Sequence, residues 1–88
     1  MTLSQACGLV IANSSMKLIR PRKIQDEGGA VEYDVKDYEG NKRGWVLLDS
    51  FTACAVTKVY NAISDQNRAK FDSMPAIKAI NLCWKLTN

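Results

Sequence analysis

Three thiols and nine carboxylates are the side chains from which this chain could build chemistry, because it contains no histidine. Histidine is the commonest general base near neutral pH and the commonest metal ligand. Its absence removes Cys–His and Ser–His nucleophile pairs and most metal sites together. The thiols, Cys7, Cys54 and Cys83, have neither the C-x-x-C nor any zinc-ligand spacing. Each stands among apolar residues, where a cysteine serves as a small hydrophobe, so all three are expected in the core. An odd number of them, with no signal-type segment, implies reduced thiols and a cytoplasmic location.

Acid–base catalysis needs two carboxyl groups whose surroundings drive their pKa values apart. Glu32 and Asp34 instead alternate with apolar residues and face water, while Asp26, Glu27 and Glu39 fall in turns. Asp49 and Ser50 precede a helical stripe as candidate N-caps, and capping rather than catalysis is the role expected of Asp49. Gly28-Gly29 and Gly40 lack the strand–loop–helix setting and the lysine of a phosphate loop. The expectation is a non-enzymatic chain with no cofactor and no metal.

Charge is segregated along the chain. Residues 1–24 carry Lys17, Arg20, Arg22 and Lys23 and no acid; residues 25–49 carry seven acids against three bases; residues 50–88 carry five bases against two acids. Lys17, Arg20, Arg22, Lys23, Tyr38, Lys42 and Arg43 form the candidate interaction surface, since arginine and exposed aromatics are the residues that interfaces favour. A second set, Lys78, Asn81 and Lys85, recurs at i, i+3 and i+7 and would make one face of the last helix a candidate nucleic-acid surface. The ordinary reading of that face is the solvated side of an amphipathic helix.

The elements that must position these residues fall into two halves. Leu3, Ala6, Cys7 and Val10 fit a helix, while Leu9-Val10-Ile11 fits a buried strand, and residues 1–12 stay open between the two. Met16–Ile24 reads as a strand, with Pro21 marking an edge or a bulge. Val31, Tyr33 and Val35 alternate with Glu32, Asp34 and Lys36 as a half-buried strand, and Trp45–Leu48 makes a third. Turns at 26–29 and 39–42 would join them as two hairpins. Thr52, Ala55, Val56, Val59, Tyr60 and Ile63 then form one helical stripe. Ser64 can cap a short helix over 65–72 with Ala69 and Phe71 inward, and Pro75 opens a last helix with Ile77, Ile80 and Trp84 as its apolar stripe, widened by Ala76 and Cys83. The fold class is therefore a single α+β domain over 1–88: a three-stranded antiparallel meander followed by two or three helices on one face. Trp45 and Trp84 are expected in the core, Tyr38 outside it.

The run Gly44-Trp45-Val46-Leu47-Leu48-Asp49-Ser50-Phe51-Thr52-Ala53 leads into Val59-Tyr60-Asn61-Ala62-Ile63-Ser64. With Asn67–Phe71, Met74-Pro75 and Cys83–Leu86 it resembles a group of small uncharacterised accessory proteins of bacteriophages and other mobile elements. The resemblance covers the second half, brings no functional motif, and implies a protein that grips a host protein as an inhibitor or adaptor. The leading expectation is accordingly a protein-interaction module. The alternative is a nucleic-acid binder using the basic strand and the last helix. A homodimer through the Met16–Ile24 edge is a further expectation, and no membrane partner is expected, since Leu9–Ala12 is far too short to span one.

Overall fold

Thr2 and Gln5 decide how the chain begins. The Gln5 amide donates to Thr2 Oγ1 at 3.3 Å and the Thr2 amide donates to Gln5 Oε1 at 2.9 Å, a reciprocal pair that satisfies two free donors of a first helical turn. Helix α1 (Leu3–Asn13) follows and buries Leu3, Ala6, Cys7 and Val10. It ends at Ser14, whose φ of 51° is left-handed, a conformation glycine would adopt with less strain. The computed structural model describes residues 1–22, 29–41 and 43–87.

Three strands come next, β1 (Lys17–Pro21), β2 (Tyr33–Asp37) and β3 (Val46–Leu48), all antiparallel to their neighbours. Their order across the sheet is β2-β1-β3. The α+β class and the three-stranded antiparallel sheet are as expected, but the strands are not laid down in sequence order. Only β1 and β2 are joined as neighbours, and residues 38–45 carry the chain across to the far flank of β1. Gly40 (φ 88°) and Gly44 (φ 74°) supply the left-handed turns of that crossing.

β1 is thus the central strand and not the expected edge: Lys17–Ile19 are paired on both sides, and residues 23 and 24 of the expected Met16–Ile24 strand lie outside the described residues. Pro21 is tolerated there for a local reason. The Arg22 amide donates to the Glu32 carbonyl at 2.8 Å and the Tyr38 amide to the Met16 carbonyl at 3.4 Å, so even-numbered residues of β1 bond towards β2. Position 21 therefore turns towards β3, whose pairing stops at Ile19↔Val46. The missing proline amide faces no ladder.

The second half is helical: α2 (Ser50–Ala62), α3 (Asp65–Asp72) and α4 (Ala76–Thr87). Asp49 caps α2 by accepting from the Thr52 amide at 2.8 Å, and Ser64 caps α3 by accepting from the Asn67 amide at 3.3 Å. α1 packs against α2 and the sheet, and α4 against α2. The core joins Ile19, Tyr33 and Leu48 of the sheet to Val10, Val56, Phe71 and Cys83 of the helices. Burying each helical stripe against one sheet face is what removes both from water.

Three details depart from the sequence expectation. On α3, Phe71 is buried but Ala69 is exposed. On α4 Ala76 and Cys83 are buried as expected, joined by Ala79, while Ile77 and Trp84 of the expected stripe are exposed. Small residues at i, i+3 and i+7 let the α4 backbone lie close on its neighbours, and the bulky residues are turned to the outside. Cys7 and Cys83 are buried as expected, but Cys54 is exposed. No described helix is long and apolar enough to cross a membrane.

A candidate interaction face on the sheet

Alternation along β1 puts Ile19 into the core beneath the helices and Leu18 on the opposite face. Leu18 is nonetheless fully buried. Its cross-strand partners are Lys36 and Leu47, and one rank further along stand Arg20, opposite Asp34, and Trp45, next in chain to β3. Trp45 is half-buried and held between two cations: the Arg20 guanidinium lies 4.4 Å from its ring centre and the Lys36 ammonium 4.3 Å. A cation over an indole face is attracted by the ring quadrupole, and here β1 and β2 each supply one. Long cationic side chains can lay their methylene stems along apolar surface while their heads stay wet, and Leu18 is fully buried in the midst of this group.

Asp34 organises the cations. Its carboxylate accepts from the Arg22 Nε and lies 3.9 Å from the Arg20 guanidinium. The hydrogen bond and charge of Arg22, helped by Arg20, hold the Asp34 carboxyl below the usual carboxylate range, and Asp34 in turn raises Arg22. The same ladder continues to Met16 and Tyr38, which are 40% and 37% exposed and extend the face at its far end. No described helix packs on this side of the sheet.

Of the expected surface residues, Arg20, Arg22 and Tyr38 are brought together here. Arg43 is exposed in the turn before β3, where its amide donates to Asn41 Oδ1 at 2.9 Å. Lys17 does not belong to the surface: its side chain is only 14% exposed and is ion-paired with Asp37, because its odd position in β1 turns it to the helix side. Lys23 and Lys42 lie outside the described residues, as do most of the 26–29 turn and the end of the 39–42 turn. Lys78, Asn81 and Lys85 are all exposed on α4, in the helical layer, and do not share a face with Arg20 and Arg22.

Trp45 is the residue that the sequence pattern puts on the wrong face; Lys36 stands on the outer side, as its alternation with Val35 implies. Trp45 fits an apolar run and was expected in the core, whereas the β2-β1-β3 order places it in rank with Arg20 on the outer side. The signal that could have found it is parity: counting back from buried Leu48, position 45 falls on the other face of the strand.

The face offers stacking, charge and hydrogen bonds, with its one half-buried carboxylate committed to two arginines. A separate open cleft of about 350 Å³ lies at the end of the sheet, lined by Pro21, Val31, Tyr33, Val46, Ala76 and Ile77 among others. Tyr33 is the titratable side chain in that lining, and burial raises its phenol above the ordinary range. Among the described residues no group of three or more cysteines and carboxylates is placed to hold a metal ion. No family model, curated protein or solved structure matches this chain.

Proposed function

We propose that this chain is a non-enzymatic protein-interaction module, an inhibitor or adaptor of the phage accessory kind, and that the outer face of its sheet is the contact surface. The observation that carries the reading is Trp45 bracketed by Arg20 and Lys36, with Tyr38 and Met16 on the same uncovered side. Tryptophan, tyrosine, methionine and arginine are the residues enriched where proteins meet, and a few such anchors carry most of the binding energy. Asp34 pre-orients two of the arginines, which lowers the entropy lost when a partner docks. The nucleic-acid alternative fits less well. Its two halves, the β1 arginines and the α4 lysines, lie on different sides of the molecule, and Glu32 and Asp34 stand among the arginines.

Affinity capture from a bacterial lysate tests this when run in parallel on the wild type, Trp45→Ala, Arg20→Glu and, as a control on α3, Gln66→Ala. One protein species should be recovered by the wild type and by Gln66→Ala and lost with the two outer-face variants. Nucleic acid recovered without protein, or capture unchanged by Trp45→Ala, would overturn the reading.

A further inference from the structure

The helical layer carries a feature that the outer face does not use. Where α2, α3 and α4 converge, two adjoining depressions of about 230 and 270 Å³ share Val59, Ile63 and Leu86 as walls. Phe71, Met74 and Leu82 complete the floor of the first. This floor is aliphatic and incompletely covered: Ile63, Met74 and Leu82 are half-buried and Leu86 is 62% exposed. An exposed apolar strip rimmed by charge is the mark of a docking groove rather than of ordinary surface.

The rim is of one sign. Lys70 lines the first depression and Lys58 the second. Lys78, Leu82 and Leu86 follow at i, i+4 and i+8 on α4, and Lys85 stands one turn beyond Leu82, so two further lysines flank the apolar strip. Residues 50–88 contain just two acids. Asp65 is paired with Arg68 at 3.2 Å and Asp72 accepts from the Tyr60 hydroxyl at 2.9 Å. Among the described residues none of the four lysines has a carboxylate partner.

We infer that this groove docks an acidic amphipathic helix of a partner protein, with aliphatic anchors in the two depressions and glutamates or aspartates against Lys58, Lys70, Lys78 and Lys85. Anchors one turn apart suit two adjoining depressions with common walls. Met74, unbranched and polarizable, adapts to the anchor that enters. Nucleic acid matches the lysines but not the floor, since a phosphate backbone would leave Leu82 and Leu86 in water. The inference stands apart from the outer-face reading, on the opposite side of the sheet, and either can fail alone. If both hold, the molecule bridges two partners.

The test is an NMR titration of the isotope-labelled full chain with a synthetic helical peptide of about four turns, carrying leucines at i, i+4, i+7 and i+11 and glutamates on both flanks. Control probes are the same composition scrambled, the same peptide with lysine for glutamate, and a single-stranded DNA oligomer. The acidic amphipathic peptide should bind at least tenfold more tightly than either peptide control, shift the resonances of Ile63, Met74 and Leu86, and leave Trp45 unmoved. Leu86→Asp, at an exposed position that folding does not need, should weaken it tenfold or more with an unchanged melting temperature. Lys58→Glu with Lys70→Glu should weaken it comparably and restore binding of the lysine peptide. Binding of no acidic amphipathic peptide, equal binding of the scrambled one, indifference to Leu86→Asp, or tighter binding of the oligonucleotide at the same residues overturns the inference.

Discussion

The Tyr60 hydroxyl, on α2, donates to Asp72 Oδ2 at the end of α3 across 2.9 Å, and this bond fastens the corner on which the helical layer turns. Arg68 completes it by donating to the Tyr60 carbonyl at 2.9 Å while lying 5.3 Å from the Tyr60 ring centre. Phe71 meets the same ring edge-on at 5.7 Å. The other Asp72 oxygen, Oδ1, is buried with no partner among the described residues. Tyr60→Phe should therefore leave a part-buried carboxylate without its donor and cost roughly 1–2 kcal/mol. Urea unfolding checks this, and Tyr60→Phe combined with Asp72→Asn should recover part of the loss.

Asp49 links β3 directly to α2, and its carboxylate accepts from the Thr52 amide in the first turn of that helix. Asp49→Ala should destabilise the fold by about 1 kcal/mol, while Asp49→Ser should lose less than half of that. For a domain of this size each kcal/mol corresponds to a melting shift of roughly 4–8 °C, so calorimetry separates the two variants.

Burial pushes the Cys7 thiol up to about 12, with smaller contributions from Cys83 and Cys54, and burial also raises Cys83. The fold thus holds the neutral thiols. Their contribution to stability is whole below the ordinary thiol value of 9.0 and is lost as pH climbs from there towards 12. Burial raises the Tyr33 phenol too, which adds to the same alkaline loss. Denaturant midpoints should be level around neutral pH and fall above about pH 9, and Cys7→Ala should flatten part of that fall. A thiol reagent at neutral pH should label Cys54 quickly and the other two cysteines only after unfolding.

Trp45 shares the outer face with buried Leu18 and has two cations over its ring. Trp45→Ala should cost roughly 1–2 kcal/mol, combining two exposed cation–π contacts with the apolar area of the half-buried indole. Trp45→Phe should keep most of the stability. Arg20→Ala and Lys36→Ala should each alter the tryptophan emission, which Trp84→Phe isolates by removing the other fluorophore.

Local chemistry was the part of this molecule legible in the sequence. Asp49 and Ser64 cap where their hydroxyl or carboxylate precedes a periodic stripe, and the 65–72 helix has the bounds that its cap and the following Ser73 imply. Tyr33 and Val35 alternate with Asp34 and Lys36 as a strand must. Strand order was not legible, because hydrophobic alternation sets which face a residue takes but not which neighbour it meets. Trp45 and Lys17 stand on unexpected faces by parity alone: Trp45 is three residues from buried Leu48, and Lys17 is two from buried Ile19. The rotation of α4 was legible in part: Ala76 and Cys83 stand on its buried side as their spacing implies, but bulky Ile77 and Trp84 outweigh Ala79 in a hydrophobicity pattern, and the small volumes of the three buried residues decide which side of the helix lies against the core. Leu86 and Ile77 stand outside as a result, and the α2–α3–α4 groove came into view only with the coordinates.

The placement of β1 between strands that come later in the chain bears on how the protein is made. During synthesis Leu18 and Ile19 emerge long before Val46–Leu48, so the nascent sheet has one bare flank until residue 48 has left the ribosome. A product truncated before that point would expose β1 along its whole unpaired side and invite intermolecular pairing. The three residues of β3, short as they are, act as the latch that ends this vulnerable interval.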